Sequence, residues 1–185
     1  MLSSASSATS ARVITLAGGC FWCLEAVYVR VRGILDVESG YSNGHTLAPS
    51  YEQVCTGQTG HAEVVRLEYD PAVIGLRQIL EIFFAIHDPT TLNRQGNDVG
   101  TQYRSGIYYS DAADQSVIDA VMAEARQAHD QRVVTEVAPL SNYSAAEDGH
   151  QDYFEHHPNQ GYCAFVVAPK VRHFLQTFRD WVRDA

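Results

Sequence analysis

The chemistry and the architecture of this chain both depend on residues 13–25, which read Val-Ile-Thr-Leu-Ala-Gly-Gly-Cys-Phe-Trp-Cys-Leu-Glu. The first five residues are an apolar run closed by Gly18-Gly19, a pattern that predicts a buried strand ending in a tight turn. A helix is predicted to follow, with Cys20 in its first turn. Because unpaired N–H groups and the helix dipole lower the pKa of a thiol at a helix N-terminus, we expect Cys20 to be a thiolate near neutral pH.

Short strands and helices follow one another along the rest of the chain without a strict strand–helix–strand repeat. Residue alternation and helical spacing of apolar residues predict these elements. In chain order they are strands at 34–41 and 62–69, a helix at 74–86, a strand at 106–110, a helix at 112–128, a strand at 133–138, a short aromatic helix at 150–156 and a terminal helix at 171–182. Residues 90–105 are polar and aperiodic, which is typical of a functional loop. The pattern predicts an α+β fold, a two-layer α/β sandwich with a mixed sheet, helices packed on it and long functional loops.

Length and composition place the chain in a broad class. A length of 185 residues fits one domain, and residues 1–11, mostly Ser and Ala, are predicted to be a disordered N-terminal lead-in. The 13 basic and 22 acidic side chains give a net charge of −9, which argues against binding nucleic acid or an anionic membrane. The sequence has neither a membrane-spanning run nor a secretory signal. We therefore expect a cytoplasmic monomer.

The spacing of the cysteines is more informative than their number. Four cysteines in a chain of this length are too few for a disulfide scaffold, and Cys20-Phe21-Trp22-Cys23 has the spacing of redox or metal sites. Phe21 and Trp22 occupy successive helical positions, so they cannot both face one core stripe, and one of them is expected to line a surface pocket. Cys55 follows an apolar residue on a predicted helix, and we expect a packed, inert thiol there.

Several separated motifs together resemble one enzyme family. Gly-Cys-Phe-Trp at 19–22, followed after two intervening residues by Glu25, is similar to the signature of the peptide methionine sulfoxide reductase A family. The resemblance extends from about Val13 through Ser39-Gly40-Tyr41, Tyr51-Glu52-Gln53-Val54-Cys55, Gly60-His61-Ala62-Glu63, residues 93–105 and Gly161-Tyr162-Cys163. It implies a two-layer α/β sandwich and a single catalytic domain, residues 12–185.

The resemblance also implies a reaction and the residues that carry it. Family members reduce the S epimer of methionine sulfoxide, free or in proteins, and usually take electrons from thioredoxin, with no metal or organic cofactor. The resemblance implies that Cys20 is the nucleophile and Glu63 the proton donor. Phe21 and Trp22 would form the pocket for the substrate methyl group. The polar side of the site would consist of Tyr41, Asp98 and Tyr103.

The role implied for Glu63 has independent support in the residue pattern. Glu63 has the same parity as Val65, Leu67 and Tyr69, so a strand that includes it would turn its carboxyl toward the apolar side. Burial raises the pKa of a carboxyl group because it disfavours the ionised form. A protonated Glu63 near neutral pH would be a suitable acid for the sulfoxide oxygen.

The thiol that resolves the sulfenic acid on Cys20 has two candidates. Cys23 departs from the commonest family pattern, which has a small residue at this position, and it lies at i+3 from Cys20 on the predicted helix. Cys163 matches the more usual resolving position, but residues 164–167 lead into a helix and suggest an anchored segment. We favour Cys23, and a relay from Cys23 to Cys163 remains open.

Two other functions fit parts of the sequence. A thioredoxin-like disulfide oxidoreductase would explain Cys20 and Cys23 but would leave Glu63 and residues 93–105 without a role. A zinc module would need two more ligands, and Cys55 and Cys163 have no cysteine close in sequence to complete a pair.

Overall fold

A computed structural model describes residues 10–184 of the chain. Most of the predicted lead-in, residues 1–9, lies outside this range, and Ser10 and Ala11 are exposed just before the first strand. The strands are β1 Arg12–Gly18, β2 Ile34–Ser42, β3 Ala62–Tyr69, β4 Arg94–Gln95, β5 Asp98–Val99, β6 Ser105–Tyr109, β7 Glu136–Pro139 and β8 Ser144–Ala145. The α-helices are α1 Phe21–Tyr28, α2 Tyr51–Cys55, α3 Leu76–Ile86, α4 Gln115–Ala128, α5 Tyr153–His156 and α6 Ala168–Thr177.

Six strands form one mixed sheet in the order β7-β6-β1-β3-β2-β8. The pair β6–β7 is parallel, and the other neighbours are antiparallel. A separate two-residue hairpin, β4–β5, lies within the polar segment 90–105 that was predicted to be a loop. Periodicity does not reveal strands of two residues, because one alternation is too short to stand out. The predicted α+β fold with a mixed sheet is confirmed.

The main core lies between one face of the sheet and the helices. Ile14 and Leu16 of β1 and Val65 and Leu67 of β3 point into it, as the alternation of a strand requires. Helix α3 buries its apolar side chains there at helical spacing, namely Leu76, Ile79, Leu80, Ile82, Phe83 and Ile86. The opposite face of the sheet carries a smaller cluster with Tyr108 at its centre, packed against Leu140 and Tyr143.

The C-terminal segment differs from the single predicted helix at 171–182. A π-helical turn, Cys163–Val167, runs directly into α6, and a 3-10 turn follows at Arg179–Trp181. Phe178 separates the last two elements because its backbone leaves the helical region, with φ −116° and ψ 47°. Cys163 is therefore part of a continuous helical segment. Across residues 10–184, no helix has both the length and the apolar character needed to cross a membrane.

Candidate active site

The nucleophile lies at the turn between β1 and α1. Cys20 is the N-cap residue of α1, with extended backbone at φ −60° and ψ 128°, and the helix begins at Phe21. Gly19 has φ +88°, a conformation that glycine adopts without strain. A Cβ atom on Gly19 would also lie 2.7 Å from Cγ of Gln95, so the 94–99 hairpin packs directly on this turn. Both observations explain why glycine precedes the cysteine.

Glu63 lies beside this turn on strand β3. Its Oε1 accepts a hydrogen bond from the backbone N–H of Phe21 at 3.2 Å, and Oε2 has no hydrogen-bond partner within residues 10–184. The residue is 1% exposed. Burial raises the pKa of Glu63 to about 8, and the charge of Asp98 adds to the rise, while the Phe21 N–H opposes it. The strand parity therefore correctly predicts a carboxyl group that is directed inward and holds its proton near neutral pH.

The expected lowering of the Cys20 pKa is wrong. Cys20 is buried, and its pKa is raised well above the ordinary value, first by burial and then by the negative charge of Glu63. The backbone N–H of Trp22 lowers this pKa but does not offset the other effects. Desolvation dominates because the side chain points into the protein from the N-cap position. Cys20 and Glu63 therefore both favour their protonated forms.

Aromatic side chains pack together beside the turn that carries the nucleophile. Phe21 is fully buried, whereas Trp22 is partly exposed, in line with the prediction that they face different environments. The indole of Trp22 stacks on Tyr153 with ring centroids 3.7 Å apart and planes 4° apart. Its Nε1–H donates to Nδ1 of His150 at 3.3 Å, and His150 packs 4.3 Å from the ring of Tyr51. We call these five residues the aromatic wall.

Tyrosine hydroxyls and a second carboxylate supply polar groups near Glu63. Tyr41 on β2 is the direct cross-strand partner of Glu63, so both side chains lie on the same face of the sheet. The Tyr41 hydroxyl donates to Glu147 at 3.4 Å, and burial is the main cause of its raised pKa. The pKa of Tyr103 is raised by burial and then by the charges of Glu63 and Asp98. Tyr41 therefore faces the same side of the sheet as Glu63, and the charges of Glu63 and Asp98 both act on Tyr103.

Tyr162 links the polar side to the thiols. Its hydroxyl donates to Oδ2 of Asp98 at 2.6 Å and lies 3.9 Å from Sγ of Cys23. The same hydroxyl lowers the pKa of Cys20. Tyr162 thus contacts Cys23 and Asp98, and its hydroxyl influences the pKa of Cys20.

A cavity of about 300 Å³ opens beside Cys20. It lies between the 94–99 hairpin and the helical segment that begins near Tyr162. Its lining comprises Cys20, Gln95, Gly96, Asn97, Asp98, Tyr162, Val166 and Lys170. The volume is within the range of pockets that bind small molecules.

Three of the four thiols lie together. Cys20, Cys23 and Cys163 are buried and free. Cys23 raises the pKa of Cys20, and Cys163 raises the pKa of Cys23, so Cys23 interacts with both of its neighbours. Cys55 is exposed at the end of α2, so the prediction of a packed thiol there is wrong. The short helix α2 ends at this residue and leaves its side chain at the surface. In the part of the chain that the structure describes, no three His, Cys, Asp or Glu residues are grouped to hold a metal ion.

Comparison with known proteins assigns the chain to a family. The model of the peptide methionine sulfoxide reductase family matches residues 12–181. The chain belongs to the peptide methionine sulfoxide reductase family. A relative from Saccharolobus solfataricus, named peptide methionine sulfoxide reductase MsrA, is 52% identical over 171 residues, which are 92% of this chain and 97% of the relative. A relative of the same name from Polynucleobacter asymbioticus is 52% identical over 91% of this chain and 90% of its own length.

Solved structures agree with this family assignment. Reduced Mxr1 from Saccharomyces cerevisiae is 38% identical, with a TM-score of 0.77 over 83% of this chain and 89% of that chain. Mxr1 in complex with Trx2 is 29% identical, with a TM-score of 0.54 over 77% and 84% of the two chains. The family model spans Glu63 and residues 93–105 as well as the Cys-x-x-Cys pair, so the thioredoxin-like alternative is not favoured.

Four residues of the site were not predicted from the sequence. Tyr51, Glu147, His150 and Tyr162 all contact predicted site residues. Tyr162 lies in the quoted Gly161-Tyr162-Cys163 motif, which was the available signal for it. His150 was given no role, and its contact with Trp22 joins residues 128 positions apart in the chain.

Proposed function

We propose that this chain reduces the S epimer of methionine sulfoxide, free or in proteins, with Cys20 as the nucleophile and Glu63 as the proton donor. The observation that carries the proposal is the placement of a buried, protonated carboxyl group against the turn that bears Cys20. Membership of the peptide methionine sulfoxide reductase family supports the same reaction.

In the first half-reaction, one oxygen atom moves from the substrate sulfur to the sulfur of Cys20. The Cys20 sulfur attacks the sulfoxide sulfur while Glu63 donates its proton to the sulfoxide oxygen. The carboxylate of Glu63 then accepts the proton that Cys20 gives up. The attack forms an S–S bond to a substrate sulfur that carries the hydroxyl. This hydroxyl then moves to the sulfur of Cys20 as the S–S bond and the S–O bond of the substrate break, so methionine leaves and Cys20 carries a sulfenic acid. Glu63 ends the step protonated, so its raised pKa suits both parts of the transfer.

The surrounding side chains orient the substrate for this attack. We assign the pocket for the methyl group to Phe21, which is fully buried, and Trp22, which is partly exposed. Tyr41 and Tyr103 provide neutral hydroxyls for the polar oxygen, and Asp98 holds Tyr162. The sulfur of methionine sulfoxide is pyramidal and carries a methyl group, an oxygen and the rest of the side chain. If each of these three groups has a fixed place in the site, only one configuration fits. This arrangement supports selectivity for the S epimer.

In the second half-reaction, a neighbouring thiol displaces the hydroxyl of the sulfenic acid as water and forms a disulfide. Cys23 is our first choice because its N–H bonds to the carbonyl of Cys20 at 3.1 Å, which places both residues in one helical turn. Cys163 is fully buried within a continuous helical segment and would have to move further. Since Cys23 interacts with Cys163, a relay from Cys23 to Cys163 is also consistent with the geometry.

The disulfide is reduced by an external dithiol, for which we propose thioredoxin. The complex of Mxr1 with Trx2 supports this choice, because the Mxr1 chain in that complex is similar in fold to this chain, with 29% sequence identity over 77% of it. We further propose that residues 12–185 act as a monomeric catalytic domain in the cytoplasm, without a metal or organic cofactor.

The experiment that tests the proposal is an epimer comparison with purified protein. Methionine formation is followed from L-methionine (S)-sulfoxide and from the R epimer, with either dithiothreitol or thioredoxin as reductant. We expect turnover of the S epimer with both reductants and none of the R epimer. Equal rates with both epimers would contradict the proposal, and activity limited to dithiothreitol would contradict the assignment of thioredoxin.

A further inference from the structure

The cavity beside Cys20 contains the only lysine of the sequence, Lys170. Tyr162, Val166 and Lys170 are spaced by four residues along one helical segment, and all three line the cavity. This spacing brings them to one face of the helix. The facing wall is the 94–99 hairpin, so Lys170 shares the cavity with the reacting thiol.

The ammonium group of Lys170 has no carboxylate partner within residues 10–184. Every ion pair in this range uses an arginine or a histidine as its cation. Asp98 lines the same cavity, but its carboxylate already accepts the short hydrogen bond from Tyr162. A half-buried cation without a partner costs solvation free energy, and a ligand anion in the cavity would restore the lost interaction.

Lys170 shares the lining of one cavity with Cys20. Its positive charge lowers the pKa of Cys23 and also that of the buried His87. The residue also borders an adjacent cleft with His129 and Arg132, which is a second direction open to a long side chain. That cleft also contains Asp88, whose Oδ1 already accepts hydrogen bonds from the backbone N–H and the hydroxyl of Thr90, and the charge of Arg132 opposes an ammonium there.

We propose that Lys170 binds a carboxylate of the substrate that lies close to the sulfoxide side chain. The inference rests on the proposed function, and it names the substrate group that the cavity selects. Two sources supply such a group. One is the α-carboxylate of free methionine sulfoxide or of a C-terminal residue, and the other is an acidic side chain next to methionine sulfoxide in a peptide. In a protein with a net charge of −9, this cation would offset the general repulsion of an anionic substrate.

The test compares substrates that differ only in the carboxylate. The first pair is N-acetyl-methionine (S)-sulfoxide and its primary amide. The second pair consists of two dipeptide amides, one in which N-acetyl-methionine (S)-sulfoxide is followed by Glu and one in which it is followed by Gln. The specificity constant kcat/KM is measured for each substrate with the wild type, Lys170→Met, Lys170→Gln and Lys170→Arg. Arg172→Met is the matched control, because it removes one positive charge from an exposed position on the same helix.

We expect the wild type to prefer the carboxylate member of at least one pair, and Lys170→Met and Lys170→Gln to lose about threefold to tenfold of that preference. Lys170→Arg and Arg172→Met should keep it. If the preference is lost in the first pair, the group that Lys170 binds is an α-carboxylate. If it is lost in the second pair, the group is an acidic side chain. If the neutral Lys170 variants keep both preferences, or lower all four kcat/KM values equally, the inference is overturned. Turnover of the uncharged amide by wild type tests the proposed function separately.

Discussion

Glu63 accepts a hydrogen bond from the backbone N–H of Phe21 at 3.2 Å, which ties the proposed proton donor to the residue next to the proposed nucleophile. The two residues are 42 positions apart and come from β3 and α1. Because the bond is made to a backbone group at the start of α1, the carboxyl group and Cys20 keep a fixed relation to each other. Preorganisation of this kind lets the proton transfer and the attack on sulfur proceed in one geometry.

Replacing Glu63 tests whether its proton is used. Glu63→Gln retains the size and hydrogen-bonding capacity of the side chain but has no acidic proton, so the rate of first methionine release should fall by roughly a hundredfold to ten-thousandfold. Glu63→Asp should lose less. In the wild type the same rate should decline as the pH rises through about 8, where Glu63 loses its proton. An unchanged single-turnover rate in Glu63→Gln would show that another group supplies the proton.

The same residue is expected to make stability depend on pH. The folded state binds the Glu63 proton up to about pH 8, whereas the ordinary pKa is 4.5, so stability from this group is lost as pH rises through that window. The loss is on the order of 4 kcal/mol. By urea denaturation, Glu63→Gln should therefore exceed the wild type in stability at about pH 9 and not at about pH 5. Glu68→Gln, on the opposite face of β3, is the control, and a similar gain there would refute the prediction.

Removing each candidate resolving thiol separates their roles. In Cys23→Ser, the first methionine should still be released, because Cys20 and Glu63 are intact, but thioredoxin-supported turnover should collapse. Mass spectrometry of the wild type after one equivalent of substrate, without reductant, should find a Cys20–Cys23 disulfide. Cys163→Ser is the matched variant. Normal turnover in Cys23→Ser with collapse in Cys163→Ser would transfer the resolving role to Cys163.

The burial of His87 leads us to expect that stability also depends on pH in the acidic range. Nδ1 donates to the carbonyl of Phe83 at 2.6 Å, Nε2 accepts from the hydroxyl of Ser105 at 2.8 Å, and burial lowers the pKa of His87 to about 4. The unfolded state binds more protons between pH 4 and 6.5, so stability is lost as pH falls through this window, by about 3 kcal/mol. Urea denaturation should show a smaller loss in His87→Asn than in the wild type. The control is His173→Asn, which changes an exposed histidine. If His87→Asn loses as much stability as this control when the pH falls from 6.5 to 4, the prediction is wrong.

Local patterns predicted the elements that are regular over several residues. The strand period placed Glu63 on the core face because it has the same parity as Val65, Leu67 and Tyr69, and the helical spacing identified α3. The hairpin Arg94–Val99 escaped prediction because its two strands have two residues each. The identity of the family came from motifs, which carry information that periodicity does not.

Tertiary packing explains what the sequence did not predict in the site. The pKa of Cys20 depends on burial at the N-cap, which the glycines and the cysteine do not specify on their own. Tyr162 reaches Asp98 across 64 positions in the chain, and His150 reaches Trp22 across an even longer separation. Single tyrosines and histidines are common in proteins, so only the packing of distant segments distinguishes these from others.

A single-turnover measurement shows whether Cys20 receives the oxygen of methionine (S)-sulfoxide. Wild type and Cys20→Ser are mixed with an excess of each epimer in the absence of reductant, and methionine and cysteine sulfenic acid are quantified by trapping and mass spectrometry. Circular dichroism confirms that Cys20→Ser is folded. We predict a burst of about one methionine per wild-type chain from the S epimer only, with the oxidised sulfur on Cys20 or in a disulfide with it. A burst of methionine in Cys20→Ser equal to that of the wild type would show that Cys20 is not the group that receives the oxygen.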